Sequence, residues 1–370
     1  MGQLSGKFVT PEGIVEGRLS FGKFIEGLEP SPIHKNSSYI LPGFIDTHVH
    51  GGGGADTMDG AEGVRKLAKF HLSHGTTTLY PTTITNPWNT IIEALCGVKE
   101  VVQEGDAALP AIPGAHLEGP FISPQRLGAQ PPNTETPTSD LLDELLGLNV
   151  IKLATLAPEI SGAHLAARRF AEAGGRVSVG HTNAKYEEVA AFTEVVREAG
   201  GTVGFTHLYN AMGGLSGRDP GVVGAALADS AAYSELIFDL HHVHAGSFLA
   251  TFRAKPERLH LVTDAIRACG LTEGETELGG QNVFVKDGAA RLEDGTLAGS
   301  VLTLDAALRN ALGTGLSLIE VSNLLSATPA NYMGLADRGR LERGKRADIV
   351  VLNRALEVQE VFVAGRKVVG

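Results

Sequence analysis

Two histidines one residue apart, His48 and His50, end a short apolar run from Gly43, and four glycines, Gly51 to Gly54, follow them. In an extended strand alternate side chains share a face, so both imidazoles point the same way, with Asp46 below them. An isolated His-x-His is a weak metal signal. Four further runs, however, end in groups that can ligate a metal: Glu118, His181, His207 and Asp264. Imidazole and carboxylate donors without thiolate suit zinc or iron, with manganese as a third option, at an open catalytic site. A divalent cation held this way lowers the pKa of water and polarises carbonyls, which is hydrolytic chemistry.

Such residues need elements that bring them together. Eight apolar runs, at 43–50, 76–80, 111–118, 150–155, 176–181, 202–207, 235–239 and 259–264, alternate with helical patterns such as 63–74, 161–173 and 184–199. That alternation predicts an α/β fold, a (β/α)8 TIM-like barrel, which takes about 250 residues and carries its chemistry at the C-terminal ends of its strands. Residues 1–42 and 340–370 are instead β-like stretches broken by Gly and Pro. They are expected to pair into one small β-sandwich domain beside a barrel of residues 43–339. A β-like patch at 282–297, with Asp287-Gly288 as its hairpin turn, predicts an insertion near 275–298 on the catalytic face.

The chain has 370 residues, 43% hydrophobic and 20% charged, enough to bury a large core. Its net charge of 31 − 42 = −11 argues against nucleic acid or an anionic membrane as the main partner. Two cysteines, Cys96 and Cys269, cannot build a disulfide framework, so a cytoplasmic location is expected. No membrane-spanning run and no secretory leader is expected either. The remaining histidines have plainer readings. His71 lies on an apolar helical stripe, and His74 sits at a helix end. His34, His164 and His260 lack catalytic context. His116 fits a supporting place behind Glu118 as well as it fits the core, and at least one of His241, His242 and His244 should face the site. Lys152 stands too early in its run to bridge metals, a place that Glu118 could take.

The run from Pro42 to Gly51 resembles the opening strand of the amidohydrolase superfamily. His116-Leu117-Glu118-Gly119-Pro120-Phe121, Gly180-His181-Thr182-Asn183-Ala184, Thr206-His207-Leu208-Tyr209-Asn210-Ala211-Met212, Val262-Thr263-Asp264-Ala265 and Leu297-Ala298-Gly299-Ser300 narrow this. In this order they resemble the N-acetylglucosamine-6-phosphate deacetylases over nearly the whole chain. The resemblance implies a metal-dependent enzyme that releases acetate from an N-acetyl amino-sugar phosphate, and a homodimer. Glu118, His181 and His207 match the metal site common to that family. His48 and His50 match a second site that only some members keep, so one or two divalent cations per chain are implied. Asp264 matches the catalytic aspartate, beside the metal. Asn210, Ala211 and Arg218 match substrate and phosphate contacts, His242 a sugar contact, and Leu297, Ala298 and Gly299 further substrate contacts. Arg218 could serve its own site or a partner's. Leu240 stands where the family has glycine, which leaves the choice of His242 over His241 open. Gln130 stands where some members use histidine to polarise the amide carbonyl. The same reaction on N-acetylgalactosamine 6-phosphate, a different amidohydrolase reaction and a non-catalytic sugar-phosphate sensor are the alternatives.

Overall fold

The computed structural model describes residues 2–34 and 37–370. Its centre holds eight parallel strands: β1 (Phe44–Val49), β2 (Thr76–Thr83), β3 (Ala115–Glu118), β4 (Ile151–Leu156), β5 (Arg176–Val179), β6 (Thr202–Phe205), β7 (Ser234–Ile237) and β8 (Leu259–Val262). The first six form one ladder in chain order, and β7 pairs with β8. Two seams close the ring. Phe205 N–H donates to Tyr233 O at 3.0 Å and Leu208 N–H to Glu235 O at 2.9 Å, joining β6 to β7. Asp264 N–H donates to His48 O at 2.8 Å and His50 N–H to Ala265 O at 3.0 Å, joining β8 to β1. The second seam brings residues of the first and last strands together, although they are far apart in the chain.

The strands are buried along nearly their whole length, which is why they read as apolar runs without clean alternation. Surrounding helices supply the outer layer. The helix Gly60–Ser73 buries Val64, Leu67, Ala68, His71 and Leu72, one stripe at three- and four-residue spacing. The short turn before it, Thr57–Asp59, is closed by a capping box between Asp56 and Asp59. The helices expected at 161–173 and 184–199 are Ala163–Glu172 and Tyr186–Glu198.

Both chain ends enter one seven-stranded sheet, ordered Arg366–Val369, Val358–Val363, Ile349–Leu352, Tyr39–Pro42, Gly2–Thr10, Gly13–Phe21, Ile25–Pro30. The halves meet where Tyr39–Pro42 runs antiparallel to Ile349–Leu352. Phe21 and Phe362 lie on strands four places apart, about 19 Å on a flat sheet. Their rings nevertheless meet at 5.4 Å. The sheet therefore folds over a core of Phe8, Leu19, Ile40 and Ile349, so the expected sandwich is one continuous sheet closed on itself.

After β8 the chain forms an antiparallel sheet of Gly274–Leu278, Gln281–Lys286 and Ala289–Leu292. Asp287 and Gly288, with φ of 50° and 75°, make the hairpin turn. The strand Gly274–Leu278 extends the β patch beyond the 282–297 read from sequence. Its charged, half-exposed residues hide the alternation that marks a strand. No described helix is long and apolar enough to cross a membrane.

Candidate metal centre

His48 lies within β1, His50 just past its end, and Glu118 is the last residue of β3. His181, His207 and Asp264 each stand two residues past the ends of β5, β6 and β8. All three take left-handed backbone, with φ of 46°, 32° and 48°. Non-glycine residues in that region cost about 1–3 kcal/mol each and persist where the surroundings over-determine them. Here the next hydrogen bonds do so: Thr182 N–H to Ala211 O at 3.1 Å, Leu208 N–H to Glu235 O at 2.9 Å, and Ser300 N–H to Asp264 O at 2.8 Å. Gly51 allows the first loop to close on the last. A Cβ there would come within 2.5 Å of both Ala55 O and Arg267 N.

Glu118 stands between two pairs of imidazoles. Its Oε1 lies 3.2 Å from His181 Nε2, 3.0 Å from His207 Nε2 and 3.5 Å from His48 Nε2. Its Oε2 lies 3.2 Å from His50 Nε2. Asp264 Oδ1 lies 3.3 Å from His48 Nε2 and 3.2 Å from His50 Nε2. Within the pairs, His48 and His50 approach to 3.2 Å and His181 and His207 to 3.0 Å, Nε2 to Nε2. Four- to six-coordinate ions with bonds of about 2.1 Å set neighbouring ligand atoms roughly 3.0–3.4 Å apart, so the spacing fits a cation.

Proton placement points the same way. His50 Nδ1 faces Thr82 O at 3.1 Å and His181 Nδ1 faces Arg126 O at 2.9 Å. A carbonyl only accepts, so these Nδ1 atoms carry a hydrogen and each Nε2 faces the centre, where a cation would take the place of any proton it holds. Burial pushes the Glu118 carboxyl up, but the facing imidazoles of His48, His181 and His207 hold it well below the ordinary value. Burial likewise raises Asp264, and His48 and His50 outweigh it, leaving it below its ordinary value. Burial alone would lower His50, yet Asp264 and Glu118 raise it to about 9. The centre thus favours positive charge. Glu118 with His48 and His50, and Glu118 with His181 and His207, are two donor groups that could each hold a divalent ion.

These groups open into a cavity of about 180 Å³. His50, Glu118, His181, His207 and Asp264 line it, and so do Gln130, Asn210, Ala211, His242, Leu297 and Gly299. His48 is buried behind them. Ala298 is buried too, with its N–H on Ala290 O at 3.0 Å. Leu278 and Thr296, from the insertion, also line the cavity and were not singled out from sequence. His242 Nδ1 lies 2.7 Å from Asp239 Oδ2, while His241 is exposed, so the structure brings His242 rather than His241 to the cavity. Leu240, just before them, is 54% exposed with φ of 69°, a conformation that glycine adopts more readily than leucine. Arg218 is not brought to the cavity. It is exposed on the turn closed by Ser216 N–H to Asp219 O, and among the described residues its side chain has no ion pair. Gln130 donates to Glu118 Oε2 at 2.6 Å and accepts from Thr85 N–H at 2.8 Å.

Other histidines settle into structural places. His71 bonds Gly51 O at 2.9 Å, and His74 caps its helix and pairs with Asp305 at 3.1 Å. His116 gives Nδ1–H to Thr47 O at 3.1 Å and accepts at Nε2 from Thr155 at 2.7 Å, so both nitrogens are occupied; burial pushes it down to about 3. Lys152, second in β4, stays partly exposed, and Thr155 holds the inward place there. His260 has more context than the sequence suggested: it is buried, 3.0 Å from Thr47 Oγ1 and 3.8 Å from Glu235 Oε1. Glu235 itself, 3.2 Å from His48 Nδ1, went unnoticed. The available signal was a carboxylate inside an otherwise apolar strand, Glu235-Leu236-Ile237-Phe238.

Residues 39–368 match the amidohydrolase family. The chain is 37% identical to an Escherichia coli N-acetylgalactosamine-6-phosphate deacetylase, covering 97% of each. It is 39% identical to the N-acetylglucosamine-6-phosphate deacetylase of Bacillus subtilis, over 87% of this chain and 82% of that one. A Mycobacterium smegmatis N-acetyl-D-glucosamine-6-phosphate deacetylase mutant, solved with N-acetyl-D-glucosamine 6-phosphate, superposes with a TM-score of 0.91 at 31% identity, covering 100% of this chain and 99% of that one.

Proposed function

The chain belongs to the amidohydrolase family, and on that premise we propose that it hydrolyses the acetamide of N-acetyl-D-glucosamine 6-phosphate to glucosamine 6-phosphate and acetate, in amino-sugar catabolism. The observation that carries this reading is the Glu118 carboxylate shared between His48/His50 and His181/His207 beside Asp264, at the mouth of a cavity. Relatives at 37–39% identity with amino-sugar-phosphate deacetylase names support the substrate class.

Glu118, His181 and His207 would hold one divalent cation, zinc or iron, and His48 and His50 a second. Such a cation supplies Lewis acidity, which lowers the pKa of water from 15.7 towards about 7 and polarises a carbonyl. Asp264 takes the proton that water loses as its oxygen attacks the acetyl carbon. It delivers that proton to the sugar nitrogen as the C–N bond breaks, so the amine leaves neutral. His242, with Nδ1 held by Asp239, turns Nε2 to the sugar. Gln130 is committed to Glu118 and Thr85, so it supports Glu118 rather than polarising the amide. Leu297, Ala298 and Gly299 form the wall that the sugar packs against. Asn210 and Ala211 meet the substrate, and Arg218 binds its phosphate from a partner subunit in a homodimer. A cytoplasmic enzyme with unpaired Cys96 and Cys269 agrees with this reading.

The E. coli relative favours a second reading, the same reaction on N-acetylgalactosamine 6-phosphate. Acetate release from the two sugars, measured side by side as kcat/KM, tests the choice. A higher value for the gluco sugar is expected, and a higher value for the galacto sugar would reassign the substrate.

A further inference from the structure

Glu235 is the second residue of β7, and its side chain is 1% exposed. A carboxylate this deep in a barrel must find partners, because burying it alone is very costly. Its two oxygens divide the work. Oε1 accepts the Thr47 hydroxyl at 2.8 Å, with His260 Nε2 at 3.8 Å beyond. Oε2 lies 3.2 Å from His48 Nδ1. Thr47 and His48 are consecutive in β1, so Glu235 grips that strand at two successive residues from across the β8 neighbour.

An imidazole that offers Nε2 to a cation must keep its hydrogen on Nδ1, and a buried N–H needs an acceptor. His50 and His181 find backbone carbonyls, Thr82 O and Arg126 O. His207 Nδ1 has no partner among the described residues. Among these four histidines, and within the described residues, only His48 has its Nδ1 backed by a side-chain carboxylate, which is more basic than a carbonyl and adds a full negative charge behind the ring. This arrangement serves the His48/His50 position and leaves the His181/His207 position alone.

We infer that Glu235 is a positioning residue, which accepts the Nδ1 hydrogen of His48 and so turns its Nε2 to the cation position shared with His50. The inference rests on the metal reading of the centre.

The test titrates metal-stripped protein with Zn²⁺ against a chromogenic chelator. Wild type, Glu235→Gln and Glu235→Ala are compared, and His207→Ala identifies the binding event of the other position. Urea unfolding of each stripped protein runs alongside. Glu235→Ala should weaken Zn²⁺ at the His48/His50 position about 10–100-fold, the usual size for an outer partner of a metal-bound histidine. Glu235→Gln, which keeps an acceptor oxygen, should lose less. The event removed by His207→Ala should not move in either variant. With Co²⁺ in place of Zn²⁺, the visible absorption of Glu235→Ala should change shape, and that of Glu235→Gln should stay close to wild type. A role in packing alone would lower the stability of the stripped proteins while Zn²⁺ affinity stayed constant. Equal Zn²⁺ affinities in wild type and Glu235→Gln and Glu235→Ala would overturn the inference. Wild-type protein that takes up no Zn²⁺ would overturn the metal reading itself.

Discussion

Gln130 donates to Glu118 Oε2 at 2.6 Å, and the direction of that bond is fixed by a third group. The Thr85 backbone N–H, 2.8 Å from Gln130 Oε1, can only donate. The amide oxygen must therefore face Thr85, and the amide nitrogen must face Glu118. Gln130 is thus turned towards a candidate metal ligand.

Gln130→Leu keeps the volume and removes both bonds. The buried Thr85 N–H then lacks a partner, which costs about 1–3 kcal/mol of stability in urea unfolding. Metal affinity should fall about 10–100-fold in chelator competition. Unchanged affinity would mean that Glu118 holds its orientation without Gln130.

Asp264 is the base and acid of the proposed reaction. Asp264→Asn should keep most of the metal and lose about 10²–10⁴-fold in kcat, or more. Acetate release by the metal-replete variant checks this, and retained activity would remove Asp264 from the mechanism.

Arg218→Ala separates the phosphate from the chemistry. A charge-assisted hydrogen bond is worth about 1.5–3 kcal/mol, so KM for the phosphorylated sugar should rise about 10–150-fold. Activity on the unphosphorylated sugar should hardly change. Equal losses on both sugars would contradict the assignment.

Asp305 offers a pH test away from the site. Burial pushes its carboxyl up, but the His74, Thr303 and Arg309 contacts win and set it at about 2, against an ordinary 3.8. A depressed folded-state value means stability that is present above the unfolded value and lost as pH falls through the folded one. The shift corresponds to about 2 kcal/mol. Asp305→Asn should therefore be less stable than wild type by about that much at pH 5, with the gap closing between pH 4 and pH 2. A gap independent of pH in urea unfolding would assign the loss to packing.

The strand ends were legible because buried parallel strands read as apolar runs, so a polar ligand at the end of each run stands out. His48, His50, Glu118, His181, His207 and Asp264 were singled out that way, and the structure brings their side chains to one centre. Backbone geometry was not legible. Nothing in the sequence around His181 or Asp264 announces left-handed φ, since the strain is imposed by hydrogen bonds from other strands. Leu240 was visible as a departure from glycine, but its positive φ shows only in the fold. Glu235, Thr47 and His260 escaped because they lie mid-strand, where residues are expected to pack. Their roles depend on ring closure, which places β7 and β8 against β1. Arg218 was singled out by resemblance alone, and the structure places it on an exposed turn outside the cavity lining.

In the proposed reaction, hydrolysis of the amino-sugar phosphate depends on cations held by Glu118 and its four histidines. Protein stripped of metal and then refilled stepwise with Zn²⁺ or Fe²⁺ measures it directly, with acetate release from N-acetyl-D-glucosamine 6-phosphate followed at each step. Activity should be near zero in the stripped protein and rise in proportion to bound metal, up to one or two ions per chain. Full acetate release from stripped protein, or none from refilled protein, would contradict the account.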